Sequence, residues 1–531
     1  MNHAQNTRSD LPKGTATRAQ APTLSRTIAL ALLGGLSMFC AVQLAGAARA
    51  GWVFEYPLDD VYIHLSMAAE IARGGYGVNA GEYASAASSP LYPVLLTLAP
   101  ETELQRLLPL FWNIVGLCLS CILWALILAR AGLSRAWATG LAIAGPIATG
   151  SFAAAFAGME HSLHAAASLA IVYGMLRLVQ SGTISAVLIA GIVLAPLFRF
   201  EGAALALIAS CLIIVSGRRR VGVLMVGLSL LPLIAFCFFL TRLGLDPLPN
   251  SVLAKLPDPS LVEGGRLARF WASFQDNLAE RNGQALLLIG VSAALLPWVD
   301  TRLRQGLWPL FGLAIGIAAL AHLVLGDVGW MDRYEHYALI SLAAGSIALT
   351  AQSGRSALIV LACLPLLMSG LTYLSQSLRL YPVNPRAIHL QQAQMGRFVQ
   401  DHYQAPVAIN DLGRVVWGND AYVLDLWGLA NDEARKTRQS RPAAGWGGDL
   451  ADARDVKLAL IYSDWLGRAL GSDWAHLGNL TMEPMRGTLG SHGGVDFYVR
   501  DAETAQTVRP MLEAWAKDLP QGASFISGDV Q

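Results

Sequence analysis

The stretch "EYPLDDVYIHLSMAAEIARGG" at residues 55–75 begins shortly after the first long apolar segment, which covers residues 27–48. It places two adjacent carboxylates, Asp59 and Asp60, close to the expected position of a membrane surface. The chain has 531 residues, of which 54% are hydrophobic and only 14% charged. Because charged side chains are rare in this chain and seldom buried without a partner, a pair of aspartates at this position needs a structural or a chemical reason.

Apolar segments of nearly membrane-spanning length recur as far as residue 375, and about 20 apolar residues suffice for one crossing. We therefore predict an α-helical polytopic membrane protein with about eleven transmembrane helices. The predicted segments are 27–48, 105–129, 136–156, 162–179, 183–198, 202–216, 221–241, 284–299, 307–325, 337–351 and 357–375. The short connections assigned to the cytoplasm are basic, as the positive-inside rule requires, and no Lys/Arg-rich block indicates nucleic-acid binding.

This topology divides the chain into three parts. They are a cytoplasmic tail at 1–26, a transmembrane domain at 27–375 with a large outer loop at 49–104, and an outer domain at 376–531. The small residues "AGAARAG" at 45–51 also fit a signal-peptide cleavage site, but the long preceding segment and the later spans favour an uncleaved anchor. The outer domain contains short strand-like segments, "PVAIND", "AYVLDLWGL", "VKLALIY" and "GVDFYVR", which predict an α/β fold.

Most of the unusual polar chemistry falls in the segments that this topology places outside. These segments include "DDVYIH", "GMEH", "RFEG", "PLPNSVLAKLPD" and "GDVGWMDRYEHY". A transporter is expected to carry its ionisable residues in the middle of its spans. The asymmetry therefore indicates an active site at the outer membrane interface.

Asp59 and Asp60 open a predicted helix over residues 59–73 that lies along the membrane surface. Acidic residues stabilise a helix N-terminus through the helix dipole, and this reason alone explains one aspartate. Two adjacent carboxylates raise one another's pKa or hold a cation, so a general base and a divalent-cation site both remain open. Asp60 and His64 are four residues apart, which allows a hydrogen bond on one helix face.

Three further outer segments offer groups for an anionic ligand or a metal. In "RFEG", Arg199 either pairs with the neighbouring Glu201 or neutralises a phosphate, which a guanidinium binds bidentately. In "GWMDRYEHY", Arg333 and His336 belong to a dense polar group at the mouth of a span. Glu160 with His161 and His164 in "GMEHSLH" has no recognised metal-ligand spacing, so the metal content stays undetermined. Nucleotide-binding glycine motifs are absent from the sequence, which favours a lipid-linked substrate.

An ordered set of motifs resembles integral-membrane glycosyltransferases of the C-type fold (GT-C), in particular the bacterial terminal arabinofuranosyltransferase group. That group carries Asp-Asp-Ala-Tyr-Ile, then Gly-x-Gly-x-x-x-Asn-x-Gly-Glu, then Ser-Pro-Leu-Trp, and later Gly-Leu-Glu-Thr, Arg-Pro-Glu-Gly and Leu-Pro-Asn-Thr-x-x-x-Lys. The matching residues here are Asp59, Asp60, Tyr62, Ile63, Gly75, Gly77, Asn79, Gly81, Glu82, Ser89, Pro90 and Leu91, followed by "GMEH", "RFEG" and "LPNSVLAK". "GWMDRYEHYAL" and "NDLGRVVW…VLDLWGL" fit later parts of the same pattern, so the resemblance extends over most of the chain.

The resemblance implies transfer of a sugar from a polyprenyl-phosphate donor to an acceptor hydroxyl at the outer face of the bacterial inner membrane, with inversion. It implies Asp59 as the general base and Asp60 as a residue that orients a substrate or helps to hold a cation. The donor phosphate is expected at Arg199, Arg333, His336 and Lys255, and other substrate contacts are expected at Tyr62, His64, Glu82, Glu160 and Glu201. His64 and Ser66 replace the group's Ser-x-Arg, so arabinofuranose is one of several sugars that remain open.

Alternatives to this function belong to other classes of protein. A transporter or flippase of a lipid-linked glycan would move its substrate without chemistry, and a membrane anchor would only hold the outer domain in place. The acceptor, whether a glycan, a lipid-linked molecule or a protein, is not determined by the sequence. The outer domain is expected to be a lid without catalytic residues, and its tryptophans either fill a small core or stack on sugar rings.

Overall fold

The computed structural model describes residues 23–254, 265–440, 442–488 and 493–528. Within these ranges the first part of the chain is helical, and the last part is a mixed sheet with helices. The helices of the first part are α1 (Leu24–Arg49), α2 (Asp60–Ala72), α3 (Tyr92–Leu95), α4 (Glu103–Ala131), α5 (Arg135–Ala148), α6 (Ser151–Phe156), α7 (His161–Ser181), α8 (Ala186–Phe198), α9 (Gly202–Val215), α10 (Arg219–Arg242), α11 (Asn250–Leu253), α12 (Gly265–Ala279), α13 (Arg281–Val299), α14 (Trp308–Leu325), α15 (His336–Ala351) and α16 (Ser356–Arg379).

Seven helical segments of the described chain are long and apolar enough to cross a membrane, which fits a multi-pass membrane protein. They are α1, α4, α7, α10, α13, α14 and the nearly continuous helical run Ser356–Tyr403 that α16 begins. Helices α8, α9 and α15 are apolar but shorter. Each of the eleven predicted segments coincides with a helix, except that Gly150, with φ of 69°, divides segment 136–156 into α5 and α6. The count of eleven crossings and their orientation stay predictions.

Small residues let the central helices pack closely, as is common between helices in membranes. A Cβ on Gly145 of α5 would lie 2.2 Å from the Trp124 ring of α4, and a Cβ on Gly174 of α7 would lie 2.3 Å from Leu188 Cβ of α8. Helix α7 is buried along almost its whole length against α4, α8 and α15. The helical part therefore has a tightly packed centre. Residues 157–160, which precede α7, lie at one end of this packed helix.

Helix α2 is enclosed by protein, and its predicted position along the membrane surface stays a prediction. All residues from Val61 to Glu70 are buried, because the C-terminal domain covers the helix on the side away from the other helices. Ile63 and Met67 pack in one hydrophobic cluster with Leu412 and Val415 of that domain. Asp59 caps α2 and Asp60 is its first residue, so the two carboxylates lie at the junction of the two parts of the molecule.

The C-terminal domain is built on one six-stranded sheet with strand order β2-β1-β3-β5-β4-β6. Strand β1 is parallel to β2 and β3, and the remaining neighbours are antiparallel. The strands are β1 (Val407–Ile409), β2 (Val423–Asp425), β3 (Leu458–Ile461), β4 (Ala475–Met482), β5 (Gly494–Val499) and β6 (Ala523–Ser527). The helices are α17 (Asn384–Leu390), α18 (Gln392–Arg397), α19 (Gly413–Val416), α20 (Asp432–Gln439), α21 (Trp446–Asp452), α22 (Ser463–Leu466) and α23 (Ala502–Lys517).

The outer loop at 49–104 is joined to this domain by polar contacts as well as apolar ones. Asn79 donates to Val423 O at 2.9 Å and accepts from Val423 N at 3.0 Å, so its amide extends the edge of β2. Trp417 Nε1 donates to Gln105 Oε1 at 3.0 Å. These contacts hold the carboxyl ends of β1 and β3 over the N-terminus of α2.

Candidate functional site

A cavity of about 510 Å³ lies where the outer loop, the helical part and the C-terminal domain meet. All three parts contribute to its wall. The lining residues are Leu58, Asp59, Asp60, Ile63, His64, Ala86 and Ser88 from the outer loop; Met159, His161, Arg199, Ser251, Ala254, Trp330, Arg333 and Tyr334 from the helical part; and Asn410, Asp411, Leu412, Trp427, Leu429, Tyr462 and Trp465 from the C-terminal domain. Five of the eleven predicted site residues line it.

Asp59 is bound by the backbone of the C-terminal domain. Gly413 N donates to its Oδ2 at 2.5 Å and Arg414 N donates to its Oδ1 at 2.7 Å, and only 5% of the residue is exposed. A Cβ on Gly413 would lie 2.1 Å from the Asp59 carbonyl oxygen, so the close approach requires glycine. Burial, and then the charge of Asp411, raise the pKa of Asp59 well above its ordinary value.

Asp411 is the third carboxylate of the cavity, and the sequence prediction missed it. It follows β1 and lies two residues before Gly413, whose backbone N–H binds Asp59. Its Oδ2 accepts from Gln392 Nε2 at 2.7 Å and from Tyr462 OH at 3.0 Å. Burial raises the pKa of Asp411. The segment "NDLGRVVW", which matches the family pattern, contains this aspartate and was the sequence signal for it.

Asp60 has a different environment, because 41% of its side chain is exposed. Its Oδ2 lies 3.3 Å from Nη2 of Arg333, which is itself buried. The backbone before this arginine is unusual: Trp330, Met331 and Asp332 have φ of 49°, 60° and 52°. Such left-handed conformations are uncommon for residues other than glycine, and this turn brings Arg333 into the cavity wall.

In the structure, Asp60 and His64 have different partners, although their spacing allows a hydrogen bond between them. His64 lines the cavity and its Nε2 lies 3.7 Å from Glu160 Oε2, whereas Asp60 faces Arg333. Burial lowers the pKa of His64. The spacing of four residues placed both side chains on one helix face, but tertiary partners on different segments separate them.

Arg199 lies between two glutamates. Its Nη1 donates to Glu160 Oε1 and its Nη2 donates to Glu201 Oε1, each at 2.8 Å. Burial opposes the ionisation of Glu201, but the charge and hydrogen bond of Arg199 lower the pKa of Glu201 to about 2. Because two carboxylates face one guanidinium, the charge of Arg199 is already offset. Arg333, which is paired to one partly exposed carboxylate, has more charge available for an anion.

Among the predicted site residues that the structure describes, Tyr62, Glu82 and His336 lie outside the cavity wall, as do Glu160 and Glu201. Tyr62 OH donates to Glu55, and the Tyr62 ring lies under the Arg414 guanidinium. Glu82 accepts from Asn431 Nδ2 at 2.9 Å, at the contact between the outer loop and α20. These two residues hold the loop and the domain together.

The remaining two predicted residues concern the donor phosphate. His336 is buried at the start of α15, with its Nε2 3.4 Å from Ser151 Oγ. Lys255 lies outside the described residues. The metal alternative is not supported by a ligand cluster, since no group of three or more His, Cys, Asp or Glu side chains among the described residues could hold a metal ion.

The tryptophans of the C-terminal domain divide into two groups. Trp417, Trp474 and Trp515 are buried and belong to the hydrophobic clusters, and Trp446 is partly buried against one of them. Trp427 and Trp465 line the cavity with their ring centroids 4.4 Å apart, and the guanidinium of Arg438 lies 3.7 Å from the Trp427 ring centre. The domain thus supplies a carboxylate and two indole rings to the cavity, which a simple lid would not require.

Comparisons with known proteins give few matches. Residues 384–508 match the family described as "Domain of unknown function (DUF8728)". No curated protein matches the chain. Among solved structures, the crystal structure of the Archaeoglobus fulgidus oligosaccharyltransferase in the apo form is similar, with a TM-score of 0.49 and 11% sequence identity over 93% of this chain and 76% of that chain. The match to a family of unknown function assigns no activity to the C-terminal domain.

Proposed function

We propose that this chain is a membrane glycosyltransferase of the GT-C type. It transfers a sugar from a polyprenyl-phosphate donor to an acceptor hydroxyl, with inversion, at the outer face of the bacterial inner membrane. The observation that carries the proposal is the shared cavity, which Asp59, Asp60 and Asp411 line together with Arg199 and Arg333. Carboxylates that accept a proton and guanidinium groups that receive a phosphate are the two functions that such a transfer needs.

In the proposed reaction, the acceptor oxygen attacks the anomeric carbon of the donor sugar. The bond from that carbon to the phosphate oxygen breaks, the polyprenyl phosphate leaves, and the hydroxyl proton passes to Asp59. The raised pKa of Asp59 makes it a better base than an ordinary aspartate. Each Asp59 oxygen accepts one backbone N–H, and a carboxylate oxygen has a second lone pair for a hydroxyl.

Arg333 is proposed as the main binding group for the leaving phosphate. Asp60 holds this guanidinium at 3.3 Å and orients a substrate with its exposed oxygen. Arg199 contributes less attraction, because Glu160 and Glu201 offset its charge. His336 and Lys255 remain proposed phosphate contacts, and the donor sugar, arabinofuranose among others, remains to be identified.

Among the other proposed substrate contacts, His64 lines the cavity and is assigned a direct contact. Glu160 and Glu201 act through Arg199, to which both are bonded. Tyr62 and Glu82 support the wall from outside it, because their partners are Glu55 and Asn431.

The experiment is donor turnover by purified protein in detergent. Labelled polyprenyl-phosphate sugars, arabinofuranose included, are offered with a crude envelope acceptor to wild type, Asp59→Asn and Asp60→Asn. Asp420→Asn, an exposed aspartate of the same domain as Asp411, is the matched control. We expect Asp59→Asn to lose activity by about 10²–10⁴-fold, the usual contribution of a general base, and the control to keep it.

Other outcomes of this experiment would reassign the chemistry. Full activity of Asp59→Asn together with loss in Asp60→Asn would transfer the role of base to Asp60, whose carboxylate is the more exposed of the two. Movement of unchanged donor across reconstituted vesicles without consumption would support the transporter or flippase alternative. A chelator in parallel reactions tests the divalent-cation alternative.

A further inference from the structure

We infer that Asp411 of the C-terminal domain is a positioning residue for the proton transfer, holding the Asp59 carboxyl group through a direct carboxyl–carboxylate hydrogen bond. This inference rests on the proposed function, in which Asp59 is the base. It assigns the C-terminal domain a part in the chemistry that neither its family description nor the sequence prediction contains.

The first observation is that one short segment of the C-terminal domain encloses Asp59. Asp411 precedes Leu412, Gly413 and Arg414, and the last two donate their backbone N–H groups to the two oxygens of Asp59. Asp59 and Asp411 both line the cavity. Leu412 is almost fully buried among the apolar residues of α2 and the sheet, so the segment is anchored in the domain core. The two carboxylates are therefore held together by rigid elements on both sides.

The second observation is that Asp411 is itself held in place. Gln392 Nε2 and Tyr462 OH both donate to its Oδ2, at 2.7 and 3.0 Å. These donors favour the ionised form of Asp411. The negative charge of the neighbouring Asp59 has the opposite effect and favours a state in which the two carboxyl groups share one proton. Two carboxylates in contact cannot both ionise without a large penalty, and a shared proton removes most of it.

The charged and titratable groups around the pair act in opposite directions, since Asp60 on α2 raises the pKa of both carboxyl groups and the hydrogen-bond donors lower it. The Arg414 guanidinium stacks over the rings of Tyr62 and Trp417 and lies 4.0 Å from Glu55. Tyr462 reaches the pair from β3 as a hydrogen-bond donor.

The proton balance of the transfer then follows. In the reacting form both carboxylates are ionised. As the acceptor oxygen bonds to the anomeric carbon and the phosphate leaves, the hydroxyl proton moves to Asp59 and is stabilised there by the hydrogen bond to Asp411. Removing the negative charge of Asp411 weakens Asp59 as a base, so the reaction should begin at lower pH but run more slowly at its maximum.

The test uses two readouts on the full-length protein. In the first, the pH profile of donor consumption is measured for wild type and Asp411→Asn. We expect the acid limb to move at least about one pH unit lower and the maximal rate to fall about tenfold, as Brønsted behaviour of a weakened base predicts. Tyr462→Phe, which removes a donor from Asp411 and keeps both carboxylates, should move the limb to higher pH. An unmoved limb in both variants would overturn the inference.

The second readout does not depend on activity. Infrared spectra of substrate-free protein over a pH series are expected to show a protonated carboxylic acid band at neutral pH that loses intensity in both Asp59→Asn and Asp411→Asn, while the part of the band that Asp332 contributes stays. Asp420→Asn should keep the full band. An undiminished band in either of the first two variants would refute the shared proton. If wild type consumes no donor but the band behaves as expected, the proposed function fails while the carboxyl pair stands.

Discussion

Substituting Gly413 with alanine tests most directly whether the C-terminal domain positions Asp59. The φ angle of Gly413 is outside the left-handed region, so alanine can adopt the local backbone conformation. The added Cβ, however, would lie 2.1 Å from the Asp59 carbonyl oxygen and 2.7 Å from Asp59 Oδ2. The effect of the substitution is therefore steric, and it acts on the contact between the two parts of the molecule.

The size of the effect follows from these distances. Ordinary contact begins near 3.4 Å, so the segment at 411–414 must withdraw from Asp59 by about 1.3 Å. The two N–H···O bonds, now 2.5 and 2.7 Å, would lengthen beyond the range of a hydrogen bond. Hydrogen bonds to a charged group contribute about 1.5–3 kcal/mol each. A displacement of about 1 Å at a reacting group can lower a rate on the order of 100-fold.

The assay compares Gly413→Ala with Gly493→Ala, a glycine of the same domain that has open space around its Cβ position. Donor consumption and the melting temperature in detergent are measured for both. We expect Gly413→Ala to lose about 100-fold in rate, consistent with the displacement of the base, and to melt at lower temperature, while Gly493→Ala resembles wild type. Equal rates and equal melting temperatures for the two variants would refute the role of this segment in holding Asp59.

Three further predictions concern stability. Glu160→Gln removes a charge that faces a buried guanidinium, so thermal unfolding should show a loss of about 3 kcal/mol; an unchanged melting curve would mean that the charge of the pair is dispensable. Burial raises the pKa of Asp332 from 3.8 to about 7, so its contribution to stability is complete below pH 3.8 and is lost as the pH rises through 7. That contribution amounts to at most about 4 kcal/mol, and Asp332→Asn should flatten the melting temperature over this interval. Gly145→Ala would overlap the Trp124 ring and should destabilise by about 1–3 kcal/mol, whereas Gly140→Ala on the same helix meets open space and should not.

The helical part of the fold could be predicted because its signal is local. A run of apolar residues of sufficient length forms a helix in a membrane wherever its partners lie, since every backbone group must be bonded within the segment. The C-terminal sheet was predicted less completely. Four of its strands coincide with strand-like segments, but β4 contains Gly478 and β6 is half exposed, so neither shows a clear apolar alternation.

The sequence predicted several residues of the candidate site, but it did not predict which of them contact one another. Asp59, Asp60, Arg199 and Arg333 were expected at the outer interface and line one cavity. The spacing of Asp60 and His64 allows a hydrogen bond, but each side chain has a partner on another element, which spacing along a helix does not reveal. Asp411 was missed although it lies in the recognised segment "NDLGRVVW", because its proximity to Asp59 depends on the packing of two parts of the chain that are far apart in sequence.

The sequence by itself determined where the apolar helices lie and which polar segments interrupt them, because helix formation depends on neighbours a few residues away. Only the tertiary structure decided the chemical state of the central carboxylate. The groups that bind Asp59 are about 354 residues away in the sequence, on a different domain. Its pKa depends on burial and on the charge of Asp411, and both exist only after the two domains have packed against each other.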